Sequence, residues 1–154
     1  MSENTRWPSP GLRSVGSYQI SGHPFITGSD NLDNGKVHGV FFPFVCRSFT
    51  VVNTNTNTGE DIRVHFQSGS ATSVQVPGDA GAQTIAATDD VIANFHYITL
   101  RTMTGSSVTM DTRCKNIFIS NGSGTSNLKY QVFAELTLID TTSMYQLTGS
   151  GITE

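Results

Sequence analysis

The chain has 154 residues with 9 Lys and Arg against 12 Asp and Glu, a net charge of −3. Only 14% of residues are charged, against roughly 25% in ordinary soluble domains, and Thr, Ser, Gly and Asn number 20, 17, 15 and 10. A surplus of 12 Val and 10 Ile over 7 Leu and 7 Ala argues against a helical bundle, and the lack of any Lys/Arg cluster argues against nucleic-acid binding through a basic patch.

In chain order, residues 1–14 are polar and broken by Pro and Gly, which reads as an N-terminal arm. The arm lacks the apolar stretch of a secretory signal. Arg6, Trp7, Leu12 and Arg13 in it are candidate partner contacts, because Trp and Arg dominate interface hot spots. Residues 15–140 read as one β domain. Phe41-Phe42-Pro43-Phe44 is its most hydrophobic point, and Pro43 argues for an edge strand or a bulge. Alternate phenylalanines there fill a core, while Phe41, Phe42 and Phe44 together also make a candidate patch for another subunit. The apolar run Val40 to Cys46 is far short of the ~20 residues that span a bilayer, so no membrane association is expected.

Alternation continues with Phe49 and Val51 against Ser48 and Thr50, then Ile62, Val64 and Phe66 against Arg63 and His65. Residues 67–91 carry Ser68-Gly69-Ser70 and Pro77-Gly78-Asp79-Ala80-Gly81, a long loop of the kind that contacts partners. Val108 and Met110 alternate with Thr109 and Asp111, and Ile117 and Ile119 flank Phe118. The last strand sets Leu128, Tyr130, Val132, Ala134 and Leu136 on one face and Lys129, Gln131, Glu135 and Thr137 on the other, with Phe133 among them. Residues 141–154 read as a C-terminal arm outside the core.

Cys46-Arg47-Ser48-Phe49-Thr50-Val51-Val52-Asn53 aligns with Cys114-Lys115-Asn116-Ile117-Phe118-Ile119-Ser120-Asn121. The same offset sets Val40 on Val108, Phe42 on Met110, Ile62 on Tyr130 and Val64 on Val132. Hairpins of alternating Val, Ile and Thr also align by chance, but the gapless offset through Cys and Asn favours two pseudo-symmetric four-stranded halves. The expected fold is all-β, an antiparallel sandwich of jelly-roll type with about eight strands.

Chemistry-bearing residues do not converge along the sequence. In a reducing cytoplasm, Cys46 and Cys114 are expected as buried thiols, bonded only if the fold brings them together. The histidines are single, with no HxH or HxxxH pair; His23 with His96 is the best candidate metal pair. Glu60-Asp61 and Asp89-Asp90 are adjacent turn acids, better suited to Asx turns than to acid–base work across a cleft. The expectation is a protein that is not an enzyme and holds neither cofactor nor metal.

Ser17-Tyr18-Gln19-Ile20-Ser21-Gly22-His23-Pro24-Phe25-Ile26-Thr27-Gly28-Ser29, Ile62-Arg63-Val64-His65-Phe66, His96-Tyr97-Ile98-Thr99-Leu100, Cys114-Lys115-Asn116-Ile117-Phe118-Ile119-Ser120 and Tyr130-Gln131-Val132-Phe133-Ala134-Glu135-Leu136-Thr137 carry a resemblance. Over residues 14–140 the chain resembles small virion structural proteins of tailed phages, closest to those infecting marine cyanobacteria. The resemblance implies a capsid decoration or cement protein on the outer shell of the head, made in the host bacterial cytoplasm and located in the virion. Its implied partners are the major capsid protein or other virion proteins and further copies of itself, as a trimer. A tail or head–tail junction component shares these features, and a carbohydrate-binding host-attachment module is the other alternative.

Overall fold

The computed structural model describes residues 23–66, 97–102, 106–148 and 151–152. The N-terminal arm, with Arg6, Trp7, Leu12 and Arg13, and the 67–91 excursion lie outside the described residues. Among the described residues the chain is all-β. Its strands are β1 (His23–Leu32), β2 (Val37–Asn53), β3 (Ile62–His65), β4 (Ile98–Leu100), β5 (Ser107–Met110), β6 (Cys114–Asn121), β7 (Leu128–Asp140), β8 (Leu147–Thr148) and β9 (Gly151–Ile152). Seven form one antiparallel sheet in the order β1-β7-β2-β6-β3-β4, with β5 also paired to β2, and β8 and β9 pair only with each other. The sheet thus has seven strands where about eight were expected, because residues 37–53 run as one 17-residue strand through Pro43.

Local chemistry explains the connections. Asn34-Gly35 turns β1 into β2, with Gly35 at φ +72° and Lys36 N–H donating to Asp33 C=O at 3.1 Å. A Cβ at that φ is strained, which is why glycine serves there. Pro43 has no N–H to give a neighbour, and it sits where the β2–β6 register shifts, between Phe41 and Cys46.

The strand order reads the same from either end under the 68-residue offset. In one wing Asn53 opposes Tyr130, Val52 opposes Gln131, Val51 opposes Val132 and Thr50 opposes Phe133. Adding 68 to the first member and subtracting 68 from the second gives Asn121 with Ile62, Ser120 with Arg63, Ile119 with Val64 and Phe118 with His65. Those four pairs are the β3–β6 register. The wings meet where Cys46 opposes Cys114.

Buried side chains from both wings form one cluster. Leu32, Phe49, Val51, Tyr130 and Val132 belong to it from one side, and Ile62, Val64, Leu100, Ile117 and Ile119 from the other. Each such side chain is worth roughly 1.5–3 kcal/mol of transfer free energy. Two asparagines close the strand ends. Asn53 Nδ2 donates to Leu100 C=O at 2.9 Å and to Glu60 C=O at 3.0 Å, and its Oδ1 accepts from Asn55 N–H. Asn121 Nδ2 donates to Leu32 C=O at 3.1 Å and to Thr125 C=O at 2.6 Å, and its Oδ1 accepts from Ser123 N–H. Leu32 and Leu100 are themselves 68 residues apart, as are Asn55 and Ser123. Each wing therefore receives its closing donor from the other.

The segment expected as a free C-terminal arm returns to the sheet over residues 141–147. Asp140 caps the single turn Thr141–Ser143, its carboxylate accepting from Thr142 N–H. That bond holds the Asp140 carboxyl below its ordinary range. Met144 then packs on Val45 and Ile139, a second small cluster that Leu147 flanks. Gln146 Nε2 donates to Phe66 C=O at 3.0 Å and Asn116 Oδ1 at 2.9 Å. Thr137, which falls among the polar alternate positions of β7, is buried and donates its hydroxyl to Val45 C=O at 2.7 Å, at the point where the inward alternation of β7 changes phase.

Replacing Asn53 or Asn121 by Ala strands one buried carbonyl, one part-buried carbonyl and an N–H, so each variant should lose about 1–3 kcal/mol. Urea unfolding should show both losses; a midpoint unchanged in either variant would contradict the exchange.

Candidate functional site

Of the Phe41–Phe44 group, only part faces outward. Phe42 is 4% exposed and meets Phe25 edge-on, ring centroids 5.4 Å apart, so it belongs to the core and is not a partner contact. Alternation along β2 accounts for this, since Val40 and Phe42 point inward on either side of Phe41. Phe41 is 49% exposed and leans edge-on against Phe118. Phe44 is 38% exposed, at the register position facing Asp140.

Among the described residues the largest apolar exposure lies elsewhere. Ile26 on β1 is 75% exposed and directly opposes Phe133 on β7, 42% exposed. Phe133 in turn opposes Thr50 on β2, and Thr50 opposes Thr109 on β5. The two hydroxyls share a hydrogen bond of 2.8 Å. An uncharged row, Ile26–Phe133–Thr50–Thr109, therefore crosses four strands on the face turned away from the core. One ion pair stands near it, Arg47 to Glu135 at 3.4 Å, partly exposed on both sides. The sequence contains the signal: Phe133 is an aromatic among Lys129, Gln131 and Glu135. Ile26 gives no such signal, because nothing in its neighbourhood fixes which face of β1 is inward.

The 68-residue offset carries Phe133 to His65 and Thr50 to Phe118. These two rings stack, with centroids 6.1 Å apart and planes 17° apart, and both residues are buried. The outer faces of the wings are therefore chemically different. His65 was expected on a polar strand face and is instead packed against an aromatic ring.

His38 is also buried, its Nδ1 lying 2.9 Å from the Tyr130 hydroxyl. Burial pushes the Tyr130 phenol above its ordinary range. Of the candidate pair His23 and His96, the second lies outside the described residues. Among the described residues no three His, Cys, Asp or Glu side chains come together as a metal site.

The turn acids have structural partners. Glu60 accepts from Asn57 N–H at 3.1 Å and Asn57 Nδ2 at 2.9 Å, which lowers its carboxyl. Asp61 accepts from Thr102 N–H at 3.0 Å. Asp79, Asp89 and Asp90 lie outside the described residues. Cys46 and Cys114 are free, buried thiols with sulfurs 3.2 Å apart. Among the described residues no helix is long and apolar enough to cross a membrane.

No family model, curated protein or solved structure matches the chain.

Tyr130 retains its proton in the folded state beyond the point where the unfolded chain loses it. Its contribution is full below about pH 10 and is lost as pH rises above that value. Tyr130→Phe should cost about 1–3 kcal/mol at neutral pH by leaving His38 Nδ1 without the hydroxyl. The gap to wild type should narrow on going to pH ~11. Urea midpoints at the two pH values check both parts, and a widening gap would contradict them.

Proposed function

We propose that the protein is a structural component of a tailed-phage particle, a decoration or cement protein on the outer shell of the head. Its partner is the major capsid protein, and it acts as a trimer of this chain. The observation that carries this reading is the exposed row from Ile26 through Phe133 to Thr50 and Thr109, joined to the sequence resemblance. An uncharged strip on a sheet, apolar at Ile26 and Phe133 and ending in two threonines, suits a flat protein partner better than a small solute. Repetition on a lattice then supplies avidity, so each contact need contribute little.

The proposal extends to the layering of the strands. β1, β7, residues 44–53 of β2 and β5 form one four-stranded layer. β4, β3, β6 and residues 37–41 of β2 form the other. They fold over at Cys46 and Cys114 into a sandwich of jelly-roll type. Support comes from contacts between the two sets: Phe49 meets Phe66 with centroids 6.1 Å apart, and His38 bonds Tyr130. Strands that change layers at bulges make such corners, and β2 has register shifts on both sides of Cys46.

Ile26→Lys with Phe133→Glu changes two outward side chains that oppose each other, so the new charges pair across the strands and folding should stay within about 1 kcal/mol of wild type. Incorporation into particles, read by quantitative mass spectrometry of purified virions, should fall about tenfold or more, a loss of ~1.4 kcal/mol per site or greater. Unchanged occupancy would overturn the face assignment. Density confined to the tail in electron microscopy of the particle would overturn the head assignment and favour a junction component.

A further inference from the structure

Cys46 and Cys114 are direct register partners across β2 and β6, with sulfurs 3.2 Å apart. Opposed residues of an antiparallel pair hold their Cα atoms about 4.5–5.5 Å apart, inside the disulfide range of about 4.4–6.8 Å. The sulfurs need close by only about 1.2 Å to bond, which side-chain rotation supplies. Ladder pairing is interrupted at this point. The β2–β6 register shifts between Phe41 and Cys46, and residues 111–113 belong to no strand. The thiols are buried at rest, so a small reagent reaches them through local opening of this irregular stretch.

We propose that this pair is a redox-closable cross-link: thiol–disulfide exchange with a low-molecular-weight disulfide such as glutathione disulfide ties β2 to β6 where the wings meet. Cys46 gives its proton to solvent and its thiolate attacks one sulfur of the reagent, breaking the reagent's S–S bond and releasing one glutathione thiolate. Cys114 then loses its proton and attacks Cys46 Sγ, expelling the second glutathione. Two protein thiols are oxidised and one disulfide is reduced to two thiols. The contact between the sulfurs lets one thiol support the other as a thiolate. It lowers the Cys46 thiol and, with burial, raises that of Cys114, which favours Cys46 as the first to attack.

The bond would close a 68-residue loop, which restricts the unfolded chain strongly and should raise the melting midpoint by about 8–15 °C. The full chain, reduced and then treated with glutathione disulfide, is alkylated in denaturant and weighed intact. Oxidised protein should lose both alkylation sites and two hydrogens, keep no glutathione, and melt higher until dithiothreitol reverses the change. Cys114→Ser should hold one glutathione on Cys46 and show no such rise. If that variant does not fold, the mass and melting of the wild-type chain decide alone. Two persistent thiols, a retained glutathione on wild type, cross-links between chains, or a bond with no rise in midpoint would each overturn the proposal.

Discussion

A strand that ends inside a core leaves carbonyls that must find donors, and here the carbonyls of Leu32 and Leu100 find them on the opposite wing. Asn121 and Asn53 each use one amide to reach across and hold a local turn at the same time. Desolvated carbonyls without partners cost about 1–3 kcal/mol apiece, so neither wing closes satisfactorily alone. Much else follows from that constraint. Because the ends are pinned reciprocally, Asn53 opposes Tyr130 and Asn121 opposes Ile62. The apolar alternation of β2, β3, β6 and β7 is thereby brought into one shared core.

The junction at Cys46 shows what the reciprocal arrangement demands of a single strand. β2 contributes Val40, Phe42 and Cys46 to the main core, and then Phe49 and Val51, a change of parity. An extra residue on β2 absorbs it, since Cys46 opposes Leu136 while Ser48 opposes Glu135. Such a bulge turns the strand and increases local twist. It also leaves Val45 facing Ile139, away from the main cluster, where Met144 covers both. The returning C-terminal segment thus covers apolar surface that the bend exposes.

Strand character and the repeat were legible because they are local or depend on a fixed offset. Ile62 and Val64, or Leu128 through Leu136, declare their faces by alternation alone. The offset placed Cys46 beside Cys114 in an alignment, but not in space; their contact depends on the wings meeting at that pair. Three features were not legible, each for a physical reason. Phe42 and Phe41 differ only by which way the pleat points. Thr137 reads as polar surface because strict alternation puts it there, whereas the inward face of β7 changes phase at Leu136 and its hydroxyl meets Val45 C=O. Ile26 carries no sign of its face in the sequence, and its exposure follows from Phe25 and Thr27 turning inward on either side of it.

The unlike outer faces of the two wings bear on valency. A duplicated fold that kept Phe133 and its counterpart equally exposed would offer two sticky surfaces, and a subunit with two such surfaces links neighbours into open-ended chains. His65 and Phe118 stand at the equivalent positions, stacked and buried, with Phe41 half exposed at the margin. Among the described residues, the positions related by the offset therefore differ, with Phe133 exposed on one wing and His65 buried on the other. For the proposed decoration role, that asymmetry supplies the outward Phe133 position once rather than twice.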